Sequence, residues 1–321
     1  MITPKTASSL FRTGNLDRAM KAAEVGMERT SPNTDEYQQF LFVKAECLRT
    51  KGQVRQALEL IGESINESGL SPETCALWHM HRGYFLGMRN AYVESKQEFD
   101  KAEDIASNQS LSHISLDILL RRAMILFFAE ELVASQDAYR KALQVAEVHG
   151  DLFSQALALA GTGKNLMIRK NYREAVGWYE KALVAAKESR ATLLAAAMQS
   201  ELGWCFYNME HDDKALELFR ASEAAFLAAG ALTNYQISLG NIGNIFVRRG
   251  DYPAAVSYFQ RALELAKKNE DRISMAKWLN NLSDVFFRMG NPVLAGEYQR
   301  QLMLVKVALQ RERARVRQAE N

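Results

Sequence analysis

Gly161-Thr162-Gly163-Lys164 is the string in this chain that comes nearest to recognisable chemistry, because a glycine-rich turn ending in lysine can cradle a phosphate. Such a loop also needs a glycine five residues before Gly163, a Ser or Thr directly after the lysine, and a strand in front. The chain offers Ala158, Asn165 and helical periodicity instead, so the string predicts no nucleotide site. His79 and His81 are two residues apart, a spacing that sends them to different sides of a helix, whereas a helical metal pair needs a spacing near four. The remaining histidines, His113, His149 and His211, are scattered, and no local signature pairs a Ser or Cys nucleophile with a base. The residues predict no catalysis, no metal and no cofactor. Cys47, Cys75 and Cys205 are odd in number and widely spaced, which argues for reduced thiols rather than a disulfide framework.

What these residues have in common is the element that carries them. Small, aromatic and small residues recur as Ser135/Tyr139/Ala142, Ala175/Tyr179/Ala182, Ala215/Phe219/Ser222 and Ala255/Phe259/Ala262, each set 40 positions after the last. Backward, the series continues through Ser95/Phe99/Ala102, Ala57/Ile61/Ser64 and Ala19/Ala23/Gly26; forward it reaches Ala295, with the aromatic displaced to Tyr298. Twelve residues before each anchor stands another small residue: Ala7, Ala45, Gly83, Ala123, Gly163, Gly203, Gly243 and Ser283. Apolar positions at i, i+3, i+4 and i+7 in both segments predict two amphipathic helices per unit. The fold class is therefore all-α, with eight helical hairpins. Small residues mark the places where two backbones approach, and the neighbouring large side chain fills the groove beside them.

Punctuation fits the period. Gly14, Gly52, Asn90, Gly250 and Gly290 stand where a left-handed residue would close the first helix, a signal missing from Glu130, Lys170 and Glu210. Pro253 and Pro292 fall in a first turn, and Ser31-Pro32 and Ser71-Pro72-Glu73 read as helix starts. Units anchored at Ala19, Ala57, Ser95, Ser135, Ala175, Ala215, Ala255 and Ala295 make one superhelical domain over 1–305. Residues 306–321, with charged Gln310–Arg317, read as a capping helix or the start of a further unit. Truncation from a longer protein is one reading of that end.

Forty basic against 38 acidic residues give a net charge of +2, which supplies no electrostatic case for nucleic acid or an anionic membrane as partner. With 48% hydrophobic residues in 321, the chain has enough apolar material for a continuous repeat core. The absence of a signal segment and of a long apolar run predicts a cytoplasmic protein.

The order in Gly243, Phe246, Gly250-Asp251-Tyr252, Ala255, Phe259 and Ala262 resembles the tetratricopeptide repeat, with a period of 38 to 40 in place of 34. The extra length, similar to the repeats of kinesin light chains, implies longer helices and a longer link between hairpins. The strings Leu202–Tyr207 and Trp278–Leu282 resemble the arrays that precede the caspase-like CHAT protease domain of bacterial proteins. The resemblance implies that the first helix of each hairpin lines a concave groove, which binds a protein or peptide.

By that resemblance the groove-facing residues include Tyr84, Arg121, Lys164, Glu201, Trp204, Asn208, Asn241, Asn244, Arg248, Asn281, Asp284 and Arg288. Asparagine offers both donor and acceptor to a peptide backbone, and arginine can take an acidic side chain or a terminal carboxylate. The expected mechanism has an extended peptide held by Asn241 and Asn281, its acidic group on Arg248 or Arg288, and an apolar side chain against Trp204. Hydrogen bonding between neighbouring units is the other use of the same residues. Of the adjacent aromatics Phe127/Phe128 and Phe286/Phe287, one of each pair must leave the core. The positions two before each packing residue, His81, Arg121, Gly161, Glu201, Asn241 and Asn281, are too mixed for a base-reading RNA code. Three roles follow: a scaffold or adaptor, a regulatory array coupled to a CHAT-type protease, and an intracellular receptor for signalling peptides.

Overall fold

The computed structural model describes residues 2–62 and 64–319, the side chains of 312–319 excepted. These residues form sixteen α-helices in consecutive antiparallel pairs. The first two pairs are α1 (Pro4–Arg12) with α2 (Leu16–Arg29), and α3 (Asp35–Thr50) with α4 (Val54–Ile61). From there a strict period sets in: α5 (Pro72–Met88), α6 (Tyr92–Asn108), α7 (Ser112–Phe128), α8 (Leu132–His149), α9 (Leu152–Ile168) and α10 (Tyr172–Glu188) start 20 residues apart. The series continues through α11 (Thr192–Asn208), α12 (Asp212–Ala228), α13 (Leu232–Arg248), α14 (Tyr252–Lys268), α15 (Arg272–Arg288) and α16 (Pro292–Ala319).

The extra residues of the long repeat all go into the helices. The turn within a hairpin (89–91) and the link between hairpins (109–111) have the same length, contrary to the expected longer link. Both have the same geometry. Every twentieth residue from Asn90 to Gly290 has a positive φ, and the next amide reaches back five residues, as Asn171 N–H does to the Leu166 carbonyl at 3.0 Å. This is the Schellman closure, which satisfies carbonyls left open at a helix end. Glu130, Lys170 and Glu210 adopt it with φ of 63°, 60° and 64°, so hairpin geometry overrides the residue type there.

The interior explains the small–aromatic pattern. A Cβ on Gly203 would stand 2.6 Å from the Phe219 ring, and one on Gly243 would stand 2.6 Å from Phe259; these two glycines are the floors on which the aromatics of their second helices lie. Gly163 supports Tyr179 in the same way, at 3.1 Å, which accounts for the glycine of the phosphate-loop-like string. Where the anchor is serine it also bonds its facing carbonyl: Ser95 Oγ donates to Gly83 O at 2.7 Å and Ser135 Oγ to Ala123 O at 2.9 Å. Trp78 and Trp278 are packed inside, and Phe128 and Phe287 are the members of their pairs that face out.

Two details depart from the sequence pattern. The helix α4 ends at Ile61, so Ser64 lies beyond it and the second unit has a half-length second helix. The end of α4 is held by Trp78 Nε1, which donates to Ile61 O at 3.1 Å, and by the Arg82 guanidinium on Gly62 O. Ser31-Pro32 does not open a helix; α3 begins at Asp35, where Thr34 accepts from the Tyr37 amide at 3.3 Å and so supplies the cap.

Candidate functional site

First helices touch in succession, α1 with α3, α3 with α5 and onward to α11 with α13, whereas no such packing joins second helices among the described residues. First helices therefore form the inside of the curve. With a 40-residue register, equivalent residues of these helices stack into ladders across that face. The twelve groove residues expected from the sequence lie on these helices, but they fall into three environments.

At the amino-terminal end, Tyr84 and Arg121 are internal. Glu46 on α3 is the hub: Arg121 Nη1 approaches Oε1 at 2.7 Å, Arg49 Nε approaches Oε2 at 2.7 Å, and His81 Nδ1 lies 3.3 Å from Oε1. The Tyr84 ring lies beneath both guanidiniums, 4.7 Å from Arg121 and 5.8 Å from Arg49, and is 3% exposed. Burial acts to raise the Glu46 pKa, but Arg121, Arg49 and His81 overcome it and hold the carboxyl well below its ordinary value. Burial and the neighbouring Arg121 hold His81 below the usual imidazole range, and its ring stacks on Phe42 at 4.7 Å. Tyr84 is thus buried, and Arg121, though partly exposed, is committed with it to joining α3, α5 and α7. His79 turns the other way, to Glu98 at 2.6 Å.

In the middle, Lys164, Glu201, Trp204 and Asn208 come together around a cavity of about 380 Å³ between α9, α11 and α13. Its other walls include Ile168, Ser200, Phe226, Asn234 and Ile237. Trp204 stands half-buried, edge-on to Tyr207 at 5.3 Å and Phe219 at 5.9 Å. Its Nε1 donates to the side-chain oxygen of Asn241 at 3.1 Å, while the Asn241 amide nitrogen donates to Ile237 O at 3.2 Å, the amide orientation that satisfies both neighbours. Asn241 is 1% exposed; its bond from Trp204 joins units six and seven, and its bond to Ile237 stays within α13. It fixes the tryptophan and does not meet a peptide. Asn208 is exposed, although its Nδ2 donates to Trp204 O at 2.8 Å, and Lys164 Nζ lies over Phe127 at 5.2 Å.

Toward the carboxyl end, Asn244, Asn281 and Asp284 line a cavity of about 520 Å³ with Asn280, Phe287 and Gln299. Arg248 is diverted from it. Its Nε donates to Asp212 at 3.0 Å, its Nη1 to Tyr207 O at 2.8 Å, and the guanidinium covers the Tyr207 ring at 3.6 Å. It clamps unit six to unit seven, so the expected role in holding an acidic group does not fit it. Arg288 is exposed and pairs with Asp284 at 2.8 Å.

The cavity walls Phe226, Asn234, Ile237 and Asn280 were not in the sequence-derived set. The register held the signal for Ile237, which stands 40 residues after the cavity residue Ala197. Burial pushes the Cys47 and Cys205 thiols up to about 12, with Glu46 and Glu201 adding to it, which keeps both protonated at neutral pH. Among the described residues no helix is long and apolar enough to cross a membrane.

A tetratricopeptide-repeat family model matches residues 235–303. No curated protein sequence matches the chain. Among solved structures, a Rap protein in complex with competence and sporulation factor is similar over 96% of this chain and 97% of its own, with 17% identity and a TM-score of 0.64. A STAND signal-transduction ATPase with a tetratricopeptide-repeat sensor, from Pyrococcus horikoshii, is similar over 92% of this chain but 45% of its own, with 14% identity and a TM-score of 0.60. BtubC from P. vanneervenii is similar over 72% of this chain and 92% of its own, with 15% identity and a TM-score of 0.57. The repeat model and these likenesses agree with the geometry: the chain has the tetratricopeptide-repeat superhelical fold.

Proposed function

We propose that this tetratricopeptide-repeat superhelix is a protein-interaction scaffold that takes an extended peptide segment on its inner face, at the cavity between α9, α11 and α13. The observation that carries the reading is the meeting of Lys164, Glu201, Trp204 and Asn208 around one apolar-floored cavity. Trp204 presents a fixed aromatic face, Asn208 remains exposed to pair with a backbone, and Lys164 and Glu201 give the ligand a charge polarity. Asn244 and Asn281, at the second cavity, and the exposed Arg288 on Asp284 extend the same face toward the carboxyl end. The Rap structure, which holds a signalling factor and matches almost the whole of this chain, supports a peptide-receptor form of the reading.

A second reading is a sensor array that controls an effector domain, of which a CHAT-type protease is one example. It draws support from the STAND protein, where a likeness over nearly all of this chain takes up less than half of the other.

The test is selection of peptides from a random displayed library over the wild-type protein, followed by titration against Trp204→Ala and Asn208→Ala/Asn281→Ala variants. A loss of tenfold or more in affinity for Trp204→Ala supports the groove reading. Selected peptides that bind all variants alike would sink it and leave the sensor reading in front.

A further inference from the structure

Tetratricopeptide arrays have nearest-neighbour contacts by construction, yet the first two units of this chain also touch units far along the sequence. The α1–α2 turn lies against the start of α11: a Cβ on Gly14 would stand 2.9 Å from Thr192 Oγ1, 3.3 Å from Ala229 Cβ and 3.6 Å from Leu193. The α3–α4 turn does the same one unit on, where a Cβ on Gly52 would stand 2.5 Å from Thr233 Oγ1 and 3.8 Å from Thr233 Cβ. Unit one thus meets unit six and unit two meets unit seven, in the same register. With Thr192 and Thr233 in place, neither turn has room for a side chain.

Three further observations join these contacts into one surface. Leu16, Ala19 and Cys47, all fully buried, belong to the same packed cluster as Ala196, Phe226, Ala231 and Tyr235. The Arg12 guanidinium lies over the Phe153 ring of α9 at 5.1 Å. Lys51 Nζ bonds Asp17 at 2.7 Å, tying the two turns to each other beside Gly230. The contact ends there: Ile273, the counterpart of Thr233 one unit on, is 68% exposed.

We propose that the α1–α2 and α3–α4 turns form a latch that closes the superhelix on itself after five units, by docking on the amino-terminal ends of α11 and α13. Closed, it joins units one and two to units six and seven and leaves unit eight outside the contact. Open, it bares the α1–α2 turn at Leu16 together with the starts of α11 and α13. The latch therefore couples the first two units to the walls of the middle cavity, to which Phe226 and Asn234 belong, without passing through units three and four.

Hydrogen exchange on the whole chain tests this. In Thr233→Arg, whose side chain cannot share space with the Gly52 turn, amides of α1 and α2 should exchange at least tenfold faster while those of α5–α8 keep their wild-type rates. Ile273→Arg, one unit beyond the latch, should leave α1 and α2 unchanged. A rise confined to α13 and its sequence neighbours, or one that fades unit by unit toward the amino terminus, would overturn the latch. If Thr233→Arg loosens every helix, a second variant decides. Gly52→Cys/Thr233→Cys has a Cβ separation within the range of a disulfide and should close an intramolecular bond under mild oxidation, identified by mass. Failure to form it, or a bond only between molecules, would refute the closed state.

Discussion

The inner face of the superhelix is built from the same ladder of positions at both ends, and the two ends use it differently. In the first four units the ladder is spent on structure: Glu46, Arg49, His81, Tyr84 and Arg121 neutralise and cover one another. In units five to eight, Trp204, Asn208, Asn244 and Asn281 stand around open cavities. One scaffold position can thus hold a buried ionic partner or a cavity-facing side chain, and what decides is whether a neighbouring unit supplies the opposite charge. Arg121 and Arg248 illustrate this: each met a carboxylate from an earlier unit, Glu46 and Asp212, and was withdrawn from the groove.

The comparison is broken most directly at its hub. Glu46→Ala leaves two guanidiniums without their carboxylate and should cost about 3–5 kcal/mol in urea unfolding. A loss under 1 kcal/mol would show that the amino-terminal cluster is no more structural than the open end. The same cluster sets a pH dependence. His81 and Glu46 both have folded pKa values below their unfolded ones, so their contributions are complete above the unfolded pKa and are lost as pH falls. Stability measured by thermal melts should begin to fall below the ordinary histidine pKa of about 6.5 and fall further below about 4.3, where free glutamate titrates. His81→Gln should remove the first of these losses and keep the second.

Packing beneath the open end is tested by Gly243→Ala, whose methyl would meet the Phe259 ring and should cost about 1–3 kcal/mol; Ala175→Leu and Ala255→Leu should fall in the same range. A smaller effect of opposite sign is expected at Lys170, which holds a left-handed conformation without being glycine. Lys170→Gly should stabilise by about 0.5–1 kcal/mol, read as a shift in urea midpoint at constant slope. The smallest is Asp284→Ala, which breaks an exposed pair with Arg288 and should change stability by less than about 0.5 kcal/mol. Against Glu46→Ala, that last value measures how far the two ends differ.

Much of this was legible in the chain. The recurrence of Ala175/Tyr179/Ala182 at 40-residue steps determined that helices pair, where they cross, and that aromatic rings lie on glycine or alanine floors, because close approach restricts those positions to small residues whatever surrounds them. Gly250 and Asn90 announced turns for an equally local reason. Lys170 and Glu130 carried no such signal, yet the hairpin imposed the same backbone on them. Within the groove, residue type could place Trp204 on the inner face but could not show its indole donating to Asn241, since that bond depends on the offset between successive units.

The long-range contacts are set by the pitch and curvature of the whole superhelix. Glu46 meets Arg121 across 75 residues because α3, α5 and α7 pack in succession, and Gly52 meets Thr233 across 181 because small rotations between units add up until unit two comes back to unit seven. Those rotations arise from packing at every interface at once, so no window of sequence contains them. Local residue types specify the unit; the sum over units decides which of its inward-facing side chains stand open at the cavities.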